Sequence, residues 1–347
     1  MKSQDIKRAM IEVTVDQALR EMKDDPKRSV RKLADLGKRF SKSRFRNHIF
    51  AIIQKILQND NSPYYAALEQ LLQQTETTAL KKIGINIGYN SWTYGAKKIR
   101  ELESLNGYNI PWNIIFRWNS KGKLTINRME QLIKEGQAMG IYTYFIRQES
   151  SEGYKELLSL FNKYPDCAFI WFLYDYTLED TYFPTLKTAS NVMTVLNAEN
   201  HNCPALTLEL KNAKILYSVF YTYHDGDEEQ LKNNQWISSL LGFHNIFLFF
   251  LADDTCSAQT RQAVGEYILQ SRFETEYPGF LVDLYCDAMR IDQIISQESC
   301  LFEIDSDGTV LSAPQEDVKN NSTVLENVSL EYILQQTMPA VGYSSNL

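Results

Sequence analysis

The 347-residue chain has no long apolar run. Its richest stretch, Ile246–Ala252, ends at Asp253, far short of the roughly 18 residues a membrane helix needs. Glycine (15) and proline (9) are too scarce for a collagen-like or linker-dominated chain. Five cysteines, Cys167, Cys203, Cys256, Cys286 and Cys300, stand 14 or more residues apart. An odd, scattered set excludes a full disulfide framework and paired thiolate metal ligands, and reads as reduced thiols. No HExxH, HxH or nucleophile-elbow pattern accompanies the four histidines, so no metal centre is expected. The opening Met-Lys-Ser-Gln-Asp has no apolar stretch behind it, and a cytoplasmic location without a secretory signal is the expectation.

At 44% hydrophobic and 23% charged residues, the composition is that of a globular chain. Its net charge of −7 is unevenly spread: residues 1–55 hold 15 Lys/Arg against 7 Asp/Glu, leaving 21 against 36 for the rest. Val30, Leu33, Leu36 and Phe40, then Phe45, Ile49, Ile52, Ile53, Ile56 and Leu57, recur at helical spacing. Interleaved among them are Lys27, Arg28, Arg31, Lys32, Lys38, Arg39, Lys42, Arg44 and Arg46. Two readings stand: a basic face over residues 23–46 for nucleic acid or an acidic partner, or a solvated face docked on the acidic remainder of the chain.

From residue 82 the pattern alternates between strands and helices. Strands are expected at 82–90, 113–119, 141–148, 167–175, 191–199, 215–224 and 246–253, with helical patterns between most of them, such as Ile126–Met139. Their starts lie 24 to 31 residues apart, one strand plus one helix, which implies parallel pairing. The sequence therefore predicts an α/β protein with a partial or closed (βα)6–7 TIM-like barrel. An N-terminal helical segment (1–78) precedes the barrel (79–275), and a small appendage (276–347) follows, with a hairpin turning at Asp307-Gly308 and a short helix.

Strand parity then selects a site. Helices cover the outer face of such a barrel, so polar residues gather inside and at the C-terminal strand ends, where barrels bind ligands. The candidates are Asn90, Arg117, Asn119, Arg147, Asp175, Asn197, Glu199, His224 and Asp253. Arg117 and Arg147 fall on neighbouring strands and either pair internally with Glu199, Asp175 or Asp253 or clamp an anion; Gly84 and Gly88 are expected to leave room beside them. In the binding reading, a small anionic molecule or peptide sits in the barrel mouth. Asn90, Asn119 and Asn197 orient it, and Glu199 recognises an amine or hydroxyl. In the alternative, a cofactor-independent hydrolase or isomerase uses Glu199, Asp175 or Asp253 as base and His224 as acid. A third reading makes the barrel a scaffold for the basic N-terminal face.

Two segments resemble radical SAM proteins of the SPASM-tailed kind. The βα series over 82–273 is similar to that family's partial barrel. Cys300-Leu-Phe-Glu-Ile-Asp-Ser-Asp-Gly-Thr-Val310 is similar to the hairpin that opens its tail. The resemblance implies the fold. It does not carry the reaction, because the loop that holds three cluster cysteines in the family reads Asn90-Ser-Trp-Thr-Tyr-Gly-Ala-Lys97 here. The glycine-rich second-strand motif is replaced by Arg117-Trp-Asn-Ser120. Without those thiolates no such cluster is ligated. The expectation is a degenerate relative with no cofactor and a refitted interior.

Overall fold

The computed structural model describes residues 3–22, 24–40, 51–176, 183–274, 277–313, 319–323 and 328–340. In chain order these form α1 (Ser3–Glu21), α2 (Pro26–Phe40), α3 (Ala51–Gln58), α4 (Pro63–Gln74), α5 (Thr77–Ile85), a π-helix (Asn86–Gly95) and α6 (Ala96–Asn106). Then come β1 (Asn113–Trp118), α7 (Ile126–Met139), β2 (Thr143–Gln148), α8 (Tyr154–Lys163), β3 (Ala168–Leu173), α9 (Phe183–Thr188) and β4 (Val192–Asn197). They are followed by α10 (Cys203–Asn212), β5 (Tyr217–Tyr223), α11 (Glu228–Leu231), α12 (Asn234–Leu241), β6 (Phe247–Ala252), α13 (Ala258–Glu274) and β7 (Phe280–Asp283). The chain closes with α14 (Leu284–Ser296), β8 (Leu301–Ile304), β9 (Thr309–Ala313), β10 (Lys319–Thr323) and α15 (Leu330–Thr337). This is an α/β protein with a mostly parallel sheet, consistent with a partial TIM-like barrel.

The residues divide into two compact units, Met1–Ile85 with Met193–Asp287, and Asn86–Val192 with Ala288–Leu347. In the first, β4 through β7 pair in parallel in chain order. The N-terminal helices bury Leu19, Met22, Val30, Ala34, Leu57 and Tyr65 in one cluster, with Leu33 and Ile53 packed against it, so Val30, Leu33, Ile53 and Leu57 of the apolar stripe read from the sequence are core; Phe45 and Ile49 lie outside the described residues. Tyr64 ties α4 to the start of β7 by stacking on Phe280, ring centroids 4.1 Å apart, and donating to the Arg272 carbonyl at 3.2 Å.

The second unit has the strand order β10-β9-β8-β1-β2-β3. β1, β2 and β3 run parallel, and β8 joins the free side of β1, also in parallel. β8 and β9 form the expected hairpin, turning at Asp307-Gly308 with Gly308 at φ +88°, a left-handed conformation that glycine adopts without strain.

One expected strand is absent. Residues 82–90 are the end of α5 and the first half of the π-helix, and the place beside β1 belongs to β8. The alternation of Ile83, Ile85 and Ile87 matches a strand, but the buried positions Asn86, Asn90, Ser91 and Gly95 follow a helical interval. Tertiary hydrogen bonds decide the outcome. The Asn86 amide donates to the carbonyls of Pro165 (3.0 Å) and Cys167 (2.8 Å), and the Asn90 amide to those of Asp166 (2.9 Å) and Asn86 Oδ1 (3.0 Å). Ser91 and Thr143 hydroxyls meet at 2.7 Å. The Asn86 and Asn90 side chains bond to carbonyls of the turn that feeds β3, where the Cys167 carbonyl also accepts from the Asn191 amide at 3.1 Å, and a strand at 82–90 would forfeit the asparagine bonds. Gly84 and Gly88 have nothing within 4 Å of where a Cβ would stand, but they lie on these helices and line no strand. Asn86→Ala is expected to lower unfolding stability by about 1–3 kcal/mol, because it removes the side-chain donor to the Pro165 carbonyl and one of two such donors to the Cys167 carbonyl. Urea denaturation measures this, and a loss below about 0.5 kcal/mol contradicts it.

Candidate functional site

The register of β1 against its two neighbours builds a buried cluster of three charged side chains. Arg117 stands opposite Arg147 between β1 and β2, and Ile115 stands opposite Glu303 between β1 and β8. Side chains two apart on a strand share a face, so Arg117, Arg147 and Glu303 project together. Glu303 Oε1 accepts from Arg117 Nε at 2.5 Å and from Arg147 Nη1 at 3.1 Å. Arg147 Nε donates to the Tyr174 hydroxyl at 2.9 Å, just beyond β3. The side chains of Arg117, Arg147 and Glu303 are 8%, 6% and 2% exposed. Burial raises the Tyr174 hydroxyl above its ordinary value, against the pull of the Arg147 charge and hydrogen bond. Arginine suits this position because its planar fork reaches two partners at once and keeps its charge when desolvated.

Around the cluster the strand ends are stiffened by local bonds. Gln148 donates to the carbonyls of Ser150 and Glu152 at 2.7 and 2.8 Å, while its Oε1 accepts from the Trp171 indole at 2.9 Å. Asn119 folds the loop after β1 by accepting from Lys121 N at 3.0 Å. The Asp175 carbonyl accepts from the Tyr154 hydroxyl at 3.0 Å. Arg117, Asn119, Arg147 and Asp175 therefore gather at the C-terminal ends of β1–β3. Asn90 does not join them: it lies on the π-helix, bonded to the turn preceding β3, at the opposite strand ends.

The other candidates gather in the first unit. Asn197 Oδ1 accepts from Glu199 N at 3.1 Å after β4. His224, after β5, has Nδ1 3.6 Å from Asp227 and Nε2 3.7 Å from Asp253, after β6. Burial raises the Glu199 carboxyl, opposed by the nearby His224 and reinforced by Asp227. The hydroxyl and N–H of Thr255 hold the Asp253 carboxyl below the ordinary range.

Two residues of the arginine cluster were not singled out in the sequence. Glu303 is the lone charge in the arm Leu301-Phe-Glu-Ile304, and an acid inside an otherwise apolar strand is the signal that could have found it. Tyr174 is one aromatic among 20 tyrosines and carries no comparable mark. The basic N-terminal face spends several charges within its own bundle. Lys27 donates to the Asp60 carbonyl, Arg31 pairs with Asp60 and donates to the Leu57 carbonyl, Lys32 pairs with Glu21, and Lys38 donates to Gln54. Lys42, Arg44 and Arg46 lie outside the described residues. The five cysteines are free thiols, and among the described residues no group of His, Cys, Asp or Glu is arranged to hold a metal ion.

Removing the shared carboxylate leaves two buried guanidinium groups without it. Glu303→Ala is expected to cost about 3–5 kcal/mol of unfolding stability, whereas Glu101→Ala, which breaks an exposed pair with Lys97, costs about 1 kcal/mol or less. Equal losses in denaturant titrations contradict the reading of the cluster.

Neither a family model nor a curated protein matches the chain. Among solved structures it is similar to SuiB of Streptococcus suis bound to S-adenosylmethionine, with 10% identity, a TM-score of 0.49, and 77% of this chain aligned to 80% of that one. SuiB bound to the precursor peptide SuiA aligns over 69% of this chain and 67% of that one, again at 10% identity, with a TM-score of 0.47. The 3-dehydroquinate dehydratase of Geobacillus kaustophilus follows at 10% identity and a TM-score of 0.38, covering 64% of this chain and 91% of that one. At such identities and scores the likeness assigns no chemistry to this chain.

Proposed function

We propose that the chain binds a small anion, or the carboxylate of a peptide, at the C-terminal ends of β1 and β2, with Arg117 and Arg147 as its recognition groups. The observation that carries this reading is the buried Arg117–Glu303–Arg147 group. Buried ion triads are a poor source of stability: well-packed apolar residues of similar size often do as well or better. Two arginines set side by side, at the strand ends where such folds bind ligands, are better accounted for by recognition. Glu303 and Tyr174 hold the guanidinium planes in fixed directions, which lowers the ordering cost of binding. In this reading the chemistry is binding, and no step passes through a cluster or bound cofactor.

The test is a thermal-shift series with succinate, citrate, phosphate and a short peptide bearing a free C-terminal carboxylate. At least one is expected to raise Tm in the wild type, with a hundredfold excess over Kd giving about 2.7 kcal/mol, and to lose the effect in Arg147→Ala. No stabilisation by any of them, or stabilisation unaltered in the variant, overturns the proposal.

One observation favours a second reading for the other unit: His224 lies between Asp227 and Asp253 with Glu199 nearby, an arrangement suited to proton transfer. Hydrolysis of a panel of nitrophenyl esters and glycosides then falls about a hundredfold in Glu199→Gln. Wild-type rates equal to the buffer blank contradict it.

A further inference from the structure

At the entry to β1 and β8, the opposite strand ends from the arginine cluster, lies another buried acid. Asp292 on α14 is fully buried. One of its oxygens accepts from the backbone N–H of Trp112 at 3.1 Å, and the other from that of Cys300 at 2.9 Å. Trp112 immediately precedes β1 and Cys300 immediately precedes β8. The Trp112 indole also donates to the Ala288 carbonyl at 2.9 Å, one turn back on α14. A single carboxyl thus fixes the starting points of both strands. β8 pairs with β1 through only two registered positions, Ile115 with Glu303 and Phe116 with Ile304. The hairpin with β9 pairs all four residues of β8 but does not fix the place of β8 on β1, where a slip by one residue would turn Glu303 to the opposite face.

We infer that Asp292 is a positioning residue, a clip that sets the register of β8 on β1 and so delivers Glu303 to Arg117 and Arg147. The clip itself stands on the hydrogen bonds above; its role in an anion site rests on the function proposed for the arginines.

Amide hydrogen exchange of the full chain tests this. Asp292→Asn, which keeps one acceptor for two donors, is expected to lose about tenfold or more of the protection of the Leu301–Ile304 amides while β2 and β3 keep theirs. Full β8 protection in Asp292→Asn overturns the inference. Should Asp292→Asn fail to fold, the wild type still decides: the Trp112 and Cys300 amides are expected to exchange no faster than those of Leu301–Ile304, and faster exchange overturns it. Succinate thermal shifts on the same samples separate the two claims: absent binding with the expected exchange profile sinks the anion site alone, and unchanged exchange with intact binding sinks the clip alone.

Discussion

One buried carboxylate shared by two guanidinium groups organises the second unit. Desolvating three charges costs several kcal/mol per ion before pairing offsets it, so the arrangement persists only where the backbone brings all three together without adjustment. Parallel register does this. Adjacent strands set Arg117 beside Arg147 on one side of β1, and β8 sets Glu303 opposite Ile115 on the other. The C-terminal hairpin is therefore part of the site, although nearly 190 residues separate Glu303 from Arg117 in the chain.

Much of the architecture is legible in the sequence, for identifiable reasons. β1 through β6 are buried, predominantly apolar segments of six or seven residues at regular intervals, and α7 coincides with its predicted span because Thr125 caps one end and Gly140, at φ +108°, terminates the other. The failure at 82–90 is equally specific. Isoleucine alternation is a local signal, while the two asparagines that make this stretch helical find their partners at residues 165–167. No local window contains that information. β7 escapes for a different reason: four residues, Phe280–Asp283, are too few to show a period.

The candidate site was legible in part. Arg117 and Arg147 stand where parity puts them, and their internal pairing was one of the two outcomes that parity left open. Their partner was not Glu199, Asp175 or Asp253 but Glu303, because the place assigned to a first strand is filled by β8. The remaining candidates separate by unit: Asn197, Glu199, His224 and Asp253 form a partly exposed acid–imidazole group, chemically unlike the arginine cluster. The basic run of α2 turns many of its charges to partners in its own bundle, as expected for cations whose apolar neighbours form a core.

The most direct test of the central pairing reads the guanidinium groups themselves. In a nitrogen–proton NMR spectrum at neutral pH, the Arg117 and Arg147 Nε–Hε signals are predicted to be resolved from those of surface arginines and protected from solvent exchange, and the Arg117 signal to lose its protection in Glu303→Ala. Nε–Hε signals that exchange with water as fast as those of exposed arginines in the wild type would contradict the account.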